Sequence, residues 1–365
     1  MTKLRILHVV TYMGLGGLET MIMNYYRKID KDKIQFDFLV HRSEEAYYDQ
    51  EIKNLGGKIY HIQKLNPFSG SYKNELRDFF VSHPEYKIVH IHQDCLSGII
   101  AKVAKECGVP VRIAHSHNSS QDKNLKYVIK LFYKRYIPKY ATHLLACGKK
   151  AGDWMFSGEE FEILNNAIDS SKYTFSPRRK EEVRKDLGIN KEKFVLGHVG
   201  RFSNAKNHSF LLDVFFEISE NRDALLLLVG DGELRGEIEK KAEALGILDK
   251  VLFLGRRNDV YDIMQAMDVF VFPSKYEGFP VTLIEAQAAG LPCVISGNIS
   301  PEVMITDLIQ QISLESPTKA WCEAVLNAKT HDRIDTLKQI VSSGYDIIEN
   351  TCNLEKFYIN LSEVI

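Results

Sequence analysis

Residues 269–292, VFVFPSKYEGFPVTLIEAQAAGLP, contain one complete passage from a strand through a loop into a helix. The apolar run Val269–Phe272 predicts a buried strand that ends at Pro273. A helix begins near Pro280, where the missing N–H group of proline leaves no helical hydrogen bond unmade. Gly290 and Pro292 then end the helix. The segment therefore predicts a parallel strand followed by a helix, with a loop at the carboxyl end of the strand.

The same alternation of strands and helices extends along the chain. Short runs rich in Val, Ile and Leu are separated by amphipathic segments of helix length, which is typical of parallel sheets covered by helices on both faces. Two series of strands begin with similar sequences, at Ile6–Val10 and Val195–Val199. The predicted strands are Ile6–Val10, Phe36–Val40, Ile59–Ile62, Ile88–Ile91, Val111–Ala114 and His143–Ala146, then Val195–Val199, Leu225–Val229, Val251–Leu254, Val269–Phe272 and Cys293–Ser296. Each series predicts one doubly wound domain.

The length of 365 residues also suits two domains. Turn-forming residues at Asn165, Asn166 and Asp169 interrupt the periodicity and predict a linker near residues 165–172. We therefore expect a first domain over residues 1–168 and a second over 169–350. A helix over 351–365, with Asn353 as its N-cap, is expected to return to the first domain.

The composition excludes several classes of protein. A net charge of −1 gives no general attraction for nucleic acid. Six scattered cysteines without a CxxC pair indicate neither a disulfide framework nor a zinc site, and they favour a reducing cytoplasm. No apolar run approaches the ~18 residues needed to span a bilayer, and the N-terminal segment predicts a strand rather than a signal peptide. Residues 1–170 hold 24 basic and 19 acidic side chains, so this half suits an anionic partner.

The loop and helix of residues 273–292 predict an anion site. The free N–H groups in the first turn of the helix can bind a diphosphate. Glu277 in the loop and Glu285 in the helix are eight positions apart, so they can face one ligand from two sides. Two ordinary solvated carboxylates are an equally simple interpretation.

A second phosphate-directed segment, GRFSNAKN at residues 200–207, follows the first strand of the second domain. Doubly wound sheets bind ligands at this carboxyl edge, so Arg201 and Lys206 are candidates to neutralise the diphosphate. Both could instead be surface cations. Asp231 and Arg256 follow the next two strands and are weaker candidates to line a nucleotide base.

The glycines after the first strand imitate a dinucleotide fingerprint. Glu19 stands where the third glycine of that pattern is needed, and no acid ends the second strand, so nicotinamide binding is disfavoured. Gly16 and Gly17 still allow close approach of a ligand to the backbone. His115 and His117 end the fifth strand at alternate positions, which predicts that at least one imidazole faces a ligand, although structural histidines are the alternative.

Together these segments resemble the retaining glycosyltransferases of the GT-B fold, specifically the family 4 group that builds bacterial exopolysaccharide, capsule and lipid-linked glycans. The resemblance covers nearly the whole chain. Its most specific element is the E-x7-E pattern of Glu277 and Glu285. It implies an α/β architecture of two Rossmann-like domains facing each other across a cleft, with a C-terminal helix crossing back to the first domain.

The resemblance also implies residue roles. Glu285 would hold the ribose, Glu277 and the adjoining backbone would hold the sugar and diphosphate, and His117 would lie near the reacting sugar. Asn118 replaces the acid that often follows this histidine, and the sequence before Glu302 lacks the usual double glycine, so the role of Glu302 stays open. The implied donor-binding set is Gly16, Gly17, Arg201, Lys206, Asp231, Arg256, Glu277, Gly278, Phe279, Val281, Thr282 and Glu285; the implied catalytic set is His117, Glu277, Arg201 and Lys206.

The expected reaction is transfer of a sugar from a nucleotide diphosphate, UDP by expectation, to a glycan or polyprenyl-diphosphate-linked acceptor, without metal or cofactor. Three alternatives remain. A metal-dependent transferase would need a D-x-D motif, and the one such triplet, Asp30-Lys31-Asp32, lies in a charged connection. A sugar-nucleotide epimerase and a non-catalytic nucleotide-sugar-binding protein are the others.

A basic segment predicts where the protein works. Residues 123–139 contain six cations and no acid, and the 3-4-4 spacing of the first four places them on one helical face. We hypothesise reversible docking on the anionic inner face of the plasma membrane, against the alternative of an ordinary surface helix. The six cations are Lys123, Lys126, Lys130, Lys134, Arg135 and Lys139.

Overall fold

The computed structural model describes residues 3–118, 125–328 and 333–365. The contacts divide the chain into two units, which we name the first domain (Met1–Ala167 with Ile347–Ile365) and the second domain (Ile168–Asp346). The expected boundaries, after residues 168 and 350, differ from these by one and four residues. The isolated bridge between Ile168 and Asp346 joins the two ends of the second domain.

The first domain is built on a parallel sheet of seven strands. The strands are β1 (Leu4–Val10), β2 (Ile34–Val40), β3 (Ile59–His61), β4 (Ile88–Ile91), β5 (Val111–Ser116), β6 (His143–Ala146) and β7 (Glu162–Ile163). Their order in the sheet is β3-β2-β1-β4-β5-β6-β7. The intervening helices are α1 (Gly17–Lys28), α2 (Asp49–Asn54), α3 (Gly70–Ser82), α4 (Ser97–Glu106), α5 (Leu125–Lys134), α6 (Ile137–Tyr140) and α7 (Lys149–Phe156), with a 3-10 turn at Asp94–Leu96.

The second domain repeats this plan with six parallel strands. The strands are β8 (Phe194–Val199), β9 (Ala224–Val229), β10 (Val251–Gly255), β11 (Val269–Phe272), β12 (Cys293–Ser296) and β13 (Ile309–Ile312), in the order β10-β9-β8-β11-β12-β13. Its helices are α8 (Ser170–Tyr173), α9 (Pro177–Asp186), α10 (His208–Asn221), α11 (Arg235–Ala244), α12 (Val260–Ala266), α13 (Val281–Ala288), α14 (Thr318–Ala328) and α15 (Leu337–Ser342); 3-10 turns lie at Asn204–Lys206, Leu248–Lys250 and Pro301–Val303.

Burial on both faces explains why the strands are so apolar. In β9, Leu225 and Leu227 pack into the core on one face of the sheet, whereas Leu226 and Leu228 pack into the core on the other. Alternate side chains of a strand point to opposite faces, so helices covering both faces require apolar residues at every position. Every predicted strand is present. The pattern missed β7 and β13, which lie at sheet edges and have exposed residues.

The C-terminal helix α16 (Ile347–Glu363) belongs to the first domain. Ile347, Leu354 and Tyr358 are buried in the core that contains Tyr25 and Tyr26. The prediction that Asn353 caps this helix is wrong, since that residue lies inside it. Its buried stripe begins at Ile347, so apolar packing extends the helix past the local capping signal.

All six cysteines are free thiols, and four of them are buried. Across the described part of the chain, the helices are all too short or too polar to cross a bilayer.

Candidate active site

The loop between β11 and α13 has the predicted helix boundaries. Pro280 is the N-cap and Val281 is the first helical residue. At the other end, Gly290 adopts a φ of +64° and donates its N–H to Gln287, while Leu291 donates to Ala286. These two bonds form a Schellman end. A Cβ atom on Gly290 would lie 2.3 Å from the carbonyl oxygen of Ile334, so packing as well as φ requires glycine here.

Lys206 and Glu277 form an ion pair at the carboxyl edge of the second sheet. Lys206 follows β8 and Glu277 follows β11, and these strands are neighbours in the sheet. The Lys206 Nζ to Glu277 Oε1 distance is 2.7 Å, with side chains only 18% and 13% exposed. The ammonium group also lies 4.7 Å from the centre of the Phe272 ring. The structure therefore brings together the lysine and the loop carboxylate predicted for one ligand.

The N-terminus of α13 carries polar groups without partners. The first amides of a helix have no intrahelical acceptor. In the described structure, the Thr282 Oγ1 and Ser274 Oγ atoms are buried and make no hydrogen bond. Buried polar atoms are normally satisfied, so the unpaired Thr282 hydroxyl in the first turn of α13 suits a bound anion.

Glu285, farther along α13, is held by a residue that the sequence analysis missed. The Tyr173 hydroxyl donates a 2.7 Å hydrogen bond to Glu285 Oε1. Burial raises the pKa of the Glu285 carboxyl, and the tyrosine hydrogen bond opposes that rise. Tyr173 lies in the short helix α8, outside every motif, so only the tertiary structure could identify it.

The other predicted cations of this edge are on the surface. Arg201 pairs with Glu233 at 3.0 Å, and both are more than half exposed. Arg256 lies 3.9 Å from Asp231 and is 66% exposed. Glu233 is a second residue that no sequence pattern indicated. In the loop before α13, Gly278 is exposed and Phe279 is partly buried, with its ring stacked 5.5 Å from that of Tyr345. Val281, the first residue of α13, is partly buried, and Glu302 lies in the 3-10 turn Pro301–Val303.

In the first domain, the glycine pair opens helix α1. Gly16 is the N-cap and Gly17 the first helical residue. A Cβ atom on Gly16 would lie 2.2 Å from Glu19 Oε2, whereas nothing lies within 4 Å of one on Gly17. The backbone at Gly17 is therefore open on that side, as close approach of a ligand would need.

The two histidines at the end of β5 differ in exposure. His115 is 2% exposed, whereas His117 is partly exposed and shares a 2.9 Å hydrogen bond with His92. Burial lowers the pKa of His117 to about 3, so its imidazole is uncharged at neutral pH. Of the two, His117 is the one that a ligand can contact.

The D-x-D alternative does not fit the described structure. Asp30 and Asp32 precede β2 and thus lie at the amino end of that strand, away from the edge where doubly wound sheets bind ligands. Asp30 pairs with Lys33 at 2.9 Å, and the 97% exposed Asp32 pairs with Lys3 at 3.6 Å. They form an ordinary charged turn.

The predicted basic face of α5 needs correction. Lys123 and the side chain of Lys126 lie outside the described residues. Lys130 lies 3.5 Å from Asp94, and Lys134 donates to the carbonyl oxygen of Trp154, so both cations bind the protein. The exposed positions of the helix are apolar instead: Val128 is 72% exposed, Phe132 45% and Leu131 38%.

A family profile and two related proteins match this chain, and all three are described as glycosyltransferases. Residues 179–345 match the profile of the family described as glycosyl transferases group 1. The chain is 38% identical to EpsF of Bacillus subtilis (strain 168), which is named as a glycosyltransferase, over 97% of this chain and 96% of that protein. It is 24% identical to the Escherichia coli UDP-Gal:alpha-D-GlcNAc-diphosphoundecaprenol alpha-1,3-galactosyltransferase, over 99% and 98% of the two chains.

Among solved structures, HepE of Anabaena in complex with UDP superposes with a TM-score of 0.81 at 16% identity, covering 98% of this chain and 100% of that one. The chain has the GT-B fold, which is built from two parallel sheets covered by helices. The chain belongs to the glycosyl transferases group 1 family.

Proposed function

We propose that this glycosyltransferase moves a sugar from a UDP-sugar to a hydroxyl of a lipid-diphosphate-linked glycan in bacterial surface polysaccharide assembly, with retained anomeric configuration, as a family 4 hexosyltransferase. The name of the E. coli relative supports the donor and acceptor classes, since it specifies UDP-Gal and a diphosphoundecaprenol-linked sugar. UDP-galactose is an α-glycoside and that relative's linkage is α, which supports retention. The UDP complex of HepE supports a uridine nucleotide.

The ion pair of Lys206 with Glu277 carries the proposal. A mostly buried cation lies at the carboxyl edge of the sheet, beside the loop that leads into α13. The diphosphate would accept hydrogen bonds from the α13 amides and Thr282 Oγ1, with Lys206 offsetting its charge. Glu277, four residues before Val281, would then hold the sugar hydroxyls.

The remaining donor contacts follow from position. Glu285, oriented by Tyr173, would accept hydrogen bonds from the ribose hydroxyls. Asp231 and Arg256, beyond β9 and β10, would lie at the base. Arg201 would leave the exposed Glu233 and bind the diphosphate. Exposed ion pairs contribute only about 0–1 kcal/mol, so breaking the Arg201–Glu233 pair loses little stability.

A front-face mechanism accounts for retention. Both conspicuous carboxylates are engaged, Glu277 with Lys206 and Glu285 with Tyr173, so neither is a free nucleophile. The acceptor oxygen would bond to the anomeric carbon on the face from which UDP leaves, and its proton would pass to the departing phosphate. Lys206 and the α13 amides would stabilise the charge on the leaving group, and His117, as a neutral imidazole, would hydrogen-bond the reacting sugar.

Docking on an anionic membrane would bring the enzyme to such an acceptor. The exposed Val128, Leu131 and Phe132 form an apolar face on α5, and the Arg135 guanidinium lies 3.9 Å from the Phe132 ring centre. Apolar side chains inserted at a lipid interface with a neighbouring cation are typical of interfacial helices. The apolar face, rather than Lys130 and Lys134, would make the lipid contact.

Two experiments test these proposals. In the first, purified protein is incubated with a panel of UDP-sugars and synthetic lipid-diphosphate acceptors, products are detected by mass spectrometry, and the new linkage is assigned by NMR. An α-linked product from an α-donor is expected. A β-linkage would refute retention, and sugar isomerisation without an acceptor would indicate an epimerase.

In the second, liposome sedimentation compares vesicles with and without anionic lipid at low and high salt. Phe132→Asp and Val128→Asp should abolish binding, whereas Val81→Asp, at an equally exposed apolar position of the same domain, should leave it unchanged. Equal binding by all three variants would refute the docking face.

A further inference from the structure

The first domain contains a second cluster of chemical groups, five imidazoles on one face of its sheet. His90 and His92 alternate along β4 and the residue after it, while His115 and His117 alternate at the end of β5; His8 lies on β1, on the other side of β4. Side chains two positions apart share a face of a strand. The register pairs Ile91 with Ala114, so one step farther along the strands His92 lies beside His115.

Hydrogen bonds connect these rings but leave several nitrogens unused. His92 joins His8 at 3.1 Å and His117 at 2.9 Å, and His90 joins His115 at 3.2 Å. Three buried nitrogens keep no partner in the described structure: His8 Nε2, His115 Nε2 and His117 Nδ1. Two of them belong to neighbouring rings whose centres are 4.0 Å apart.

We propose that His92, His115 and His117 form a binding site for a divalent transition-metal ion of the zinc type. One ring nitrogen from each residue lies within 4.8 Å of the other two. Three imidazole nitrogens at 2.0–2.1 Å from a tetrahedral ion lie roughly 3.4 Å apart, so modest ring rotations would complete the site. This assignment is independent of the donor site in the second domain.

The protonation of the cluster suits metal binding. Burial lowers the pKa of His117 to about 3, and burial together with the neighbouring imidazoles lowers those of His92 and His115 well below the ordinary value. All three rings are therefore uncharged at neutral pH, and the neutral imidazole is the form that binds a metal ion. Imidazole nitrogen is a preferred ligand of zinc, cobalt and nickel.

A second triad, His8, His90 and His92, meets the same distance criterion but is less suitable. Two of its three rings have both nitrogens engaged: His90, by His115 and by the Tyr358 hydroxyl at 2.6 Å, and His92, by His8 and His117. In the outer triad this holds for His92 alone, and His115 and His117 each keep an unpaired nitrogen. The cavity beside these rings measures about 10 Å³, enough for about one water molecule. Only the outer triad includes a partly exposed ring, His117, through which a hydrated ion can enter.

If the proposed function holds and His117 contacts the reacting sugar, a metal ion bound at this site would affect catalysis. An ion held by His117 would withdraw that imidazole from the reacting sugar. Three protein ligands also leave a fourth position for water. Zinc would therefore slow transfer without competing with UDP.

The test measures metal binding directly. Full-length protein is freed of metal with EDTA, desalted and titrated with Co²⁺, whose visible absorption reports tetrahedral nitrogen coordination; Zn²⁺ affinity is then measured by competition with a chromophoric chelator. One ion per chain is expected. His115→Gln and His117→Gln should each weaken affinity at least tenfold, whereas His83→Gln and His61→Gln, which remove histidines outside the cluster, should bind as the wild type does. Circular dichroism checks folding, and His117→Gln, at the partly exposed position, serves if His115→Gln unfolds.

Each other outcome overturns the assignment. Absence of Co²⁺ uptake would leave a hydrogen-bonded stack of imidazoles, with water at the unpaired nitrogens. Loss of binding in His8→Gln with retention in His115→Gln would move the ion to the inner triad. Loss in His83→Gln would indicate adventitious surface binding. Calorimetry with UDP on metal-free protein is run in parallel, so failure of the donor-site proposal is recognised separately.

Discussion

The two domains share one strand order but fill the same place with different side chains. In the first domain, β4 and the residue after it supply His90 and His92; in the second, the corresponding strand β11 supplies Phe270 and Phe272. The first strands each carry a buried histidine: His8 stacks on His92 of the neighbouring segment, whereas His198 stacks on Phe272. Similar rings thus fill both cores, but the first domain places five imidazoles together where the described part of the second domain has two, His198 and His208.

The two domains also differ in where charge is placed. The second domain places Lys206 and Glu277 in loops beyond the strand ends, where they form an ion pair with each other. The imidazoles of the first domain lie on the strands or one residue beyond their ends, and burial lowers the pKa of His92 well below its ordinary value, so that ring is uncharged. The second domain therefore presents a charged pair at this edge, whereas the first domain presents neutral hydrogen-bonding rings.

The largest expected difference between the domains is their response to acid. Burial lowers the pKa values of His8 and His117 to about 3, and those of His90, His92 and His115 are also well below 6.5. Between these pKa values and 6.5, the unfolded chain binds more protons than the folded domain. The free energy of unfolding is therefore highest above about pH 6.5 and falls as the pH drops toward 3. Each histidine contributes about 1.4 kcal/mol per pH unit. The second domain has two such residues in the described structure, His198 and His208.

Hydrogen exchange followed by mass spectrometry at pH 7, 6 and 5 measures each domain separately. The first domain should open earlier on acidification. His92→Phe, which imitates Phe272, should reduce its pH slope by about 1.4 kcal/mol per unit. Equal slopes for the two domains would contradict the inferred neutrality of the imidazole cluster.

The next largest effect is expected at the charged edge of the second domain. Lys206→Ala removes the cation and leaves Glu277 unpaired in a largely buried place. Loss of one group that stabilises the leaving-group charge should lower kcat/KM about 10²–10³-fold. Steady-state assays would include Lys191→Ala, which breaks the exposed pair with Glu181, as the matched control. A decrease shared by both variants would exclude a specific role for Lys206.

Much of the fold follows from the sequence because the decisive signal is local. A strand covered on both faces, such as β9 with its four consecutive leucines, can be recognised from its sequence alone. The edge strand β13, with two exposed glutamines, carries no such signal. The start of α16 at Ile347 depends on packing of Ile347 into the core of the first domain, and that packing cannot be read from the residues around Ile347.

The candidate site was predictable only where a motif spans one loop. Glu277 and Glu285 lie in a single strand–helix passage, so their spacing is readable. Tyr173 lies more than a hundred positions from Glu285 and meets it only in the folded chain. The imidazole cluster is intermediate: alternation within β4 or β5 is visible, but the register that aligns His92 with His115 is not.

A smaller effect should separate the two carboxylates. Glu285→Ala removes hydrogen bonds to a charged group worth about 1.5–3 kcal/mol, so UDP affinity should fall tenfold or more. Tyr173→Phe removes only the group that orients Glu285 and should weaken UDP less. Glu277→Gln should mainly lower turnover. Calorimetry with UDP and steady-state kinetics give these values, and wild-type UDP affinity in Glu285→Ala would refute the ribose role.

The smallest expected effect is that of a chelator on transfer. In the proposed donor site, Lys206, Arg201 and the α13 amides would supply positive potential for the diphosphate, whereas Asp30 and Asp32 lie at the amino edge of the first sheet. Activity should therefore survive EDTA, and removal of zinc from the proposed imidazole site should raise it. Rates measured in EDTA, with Mg²⁺ and with Zn²⁺ distinguish the two metals. Complete loss in chelator that Mg²⁺ restores would show that a metal, rather than Lys206, balances the leaving group, and the comparison between the charged and neutral edges would fail.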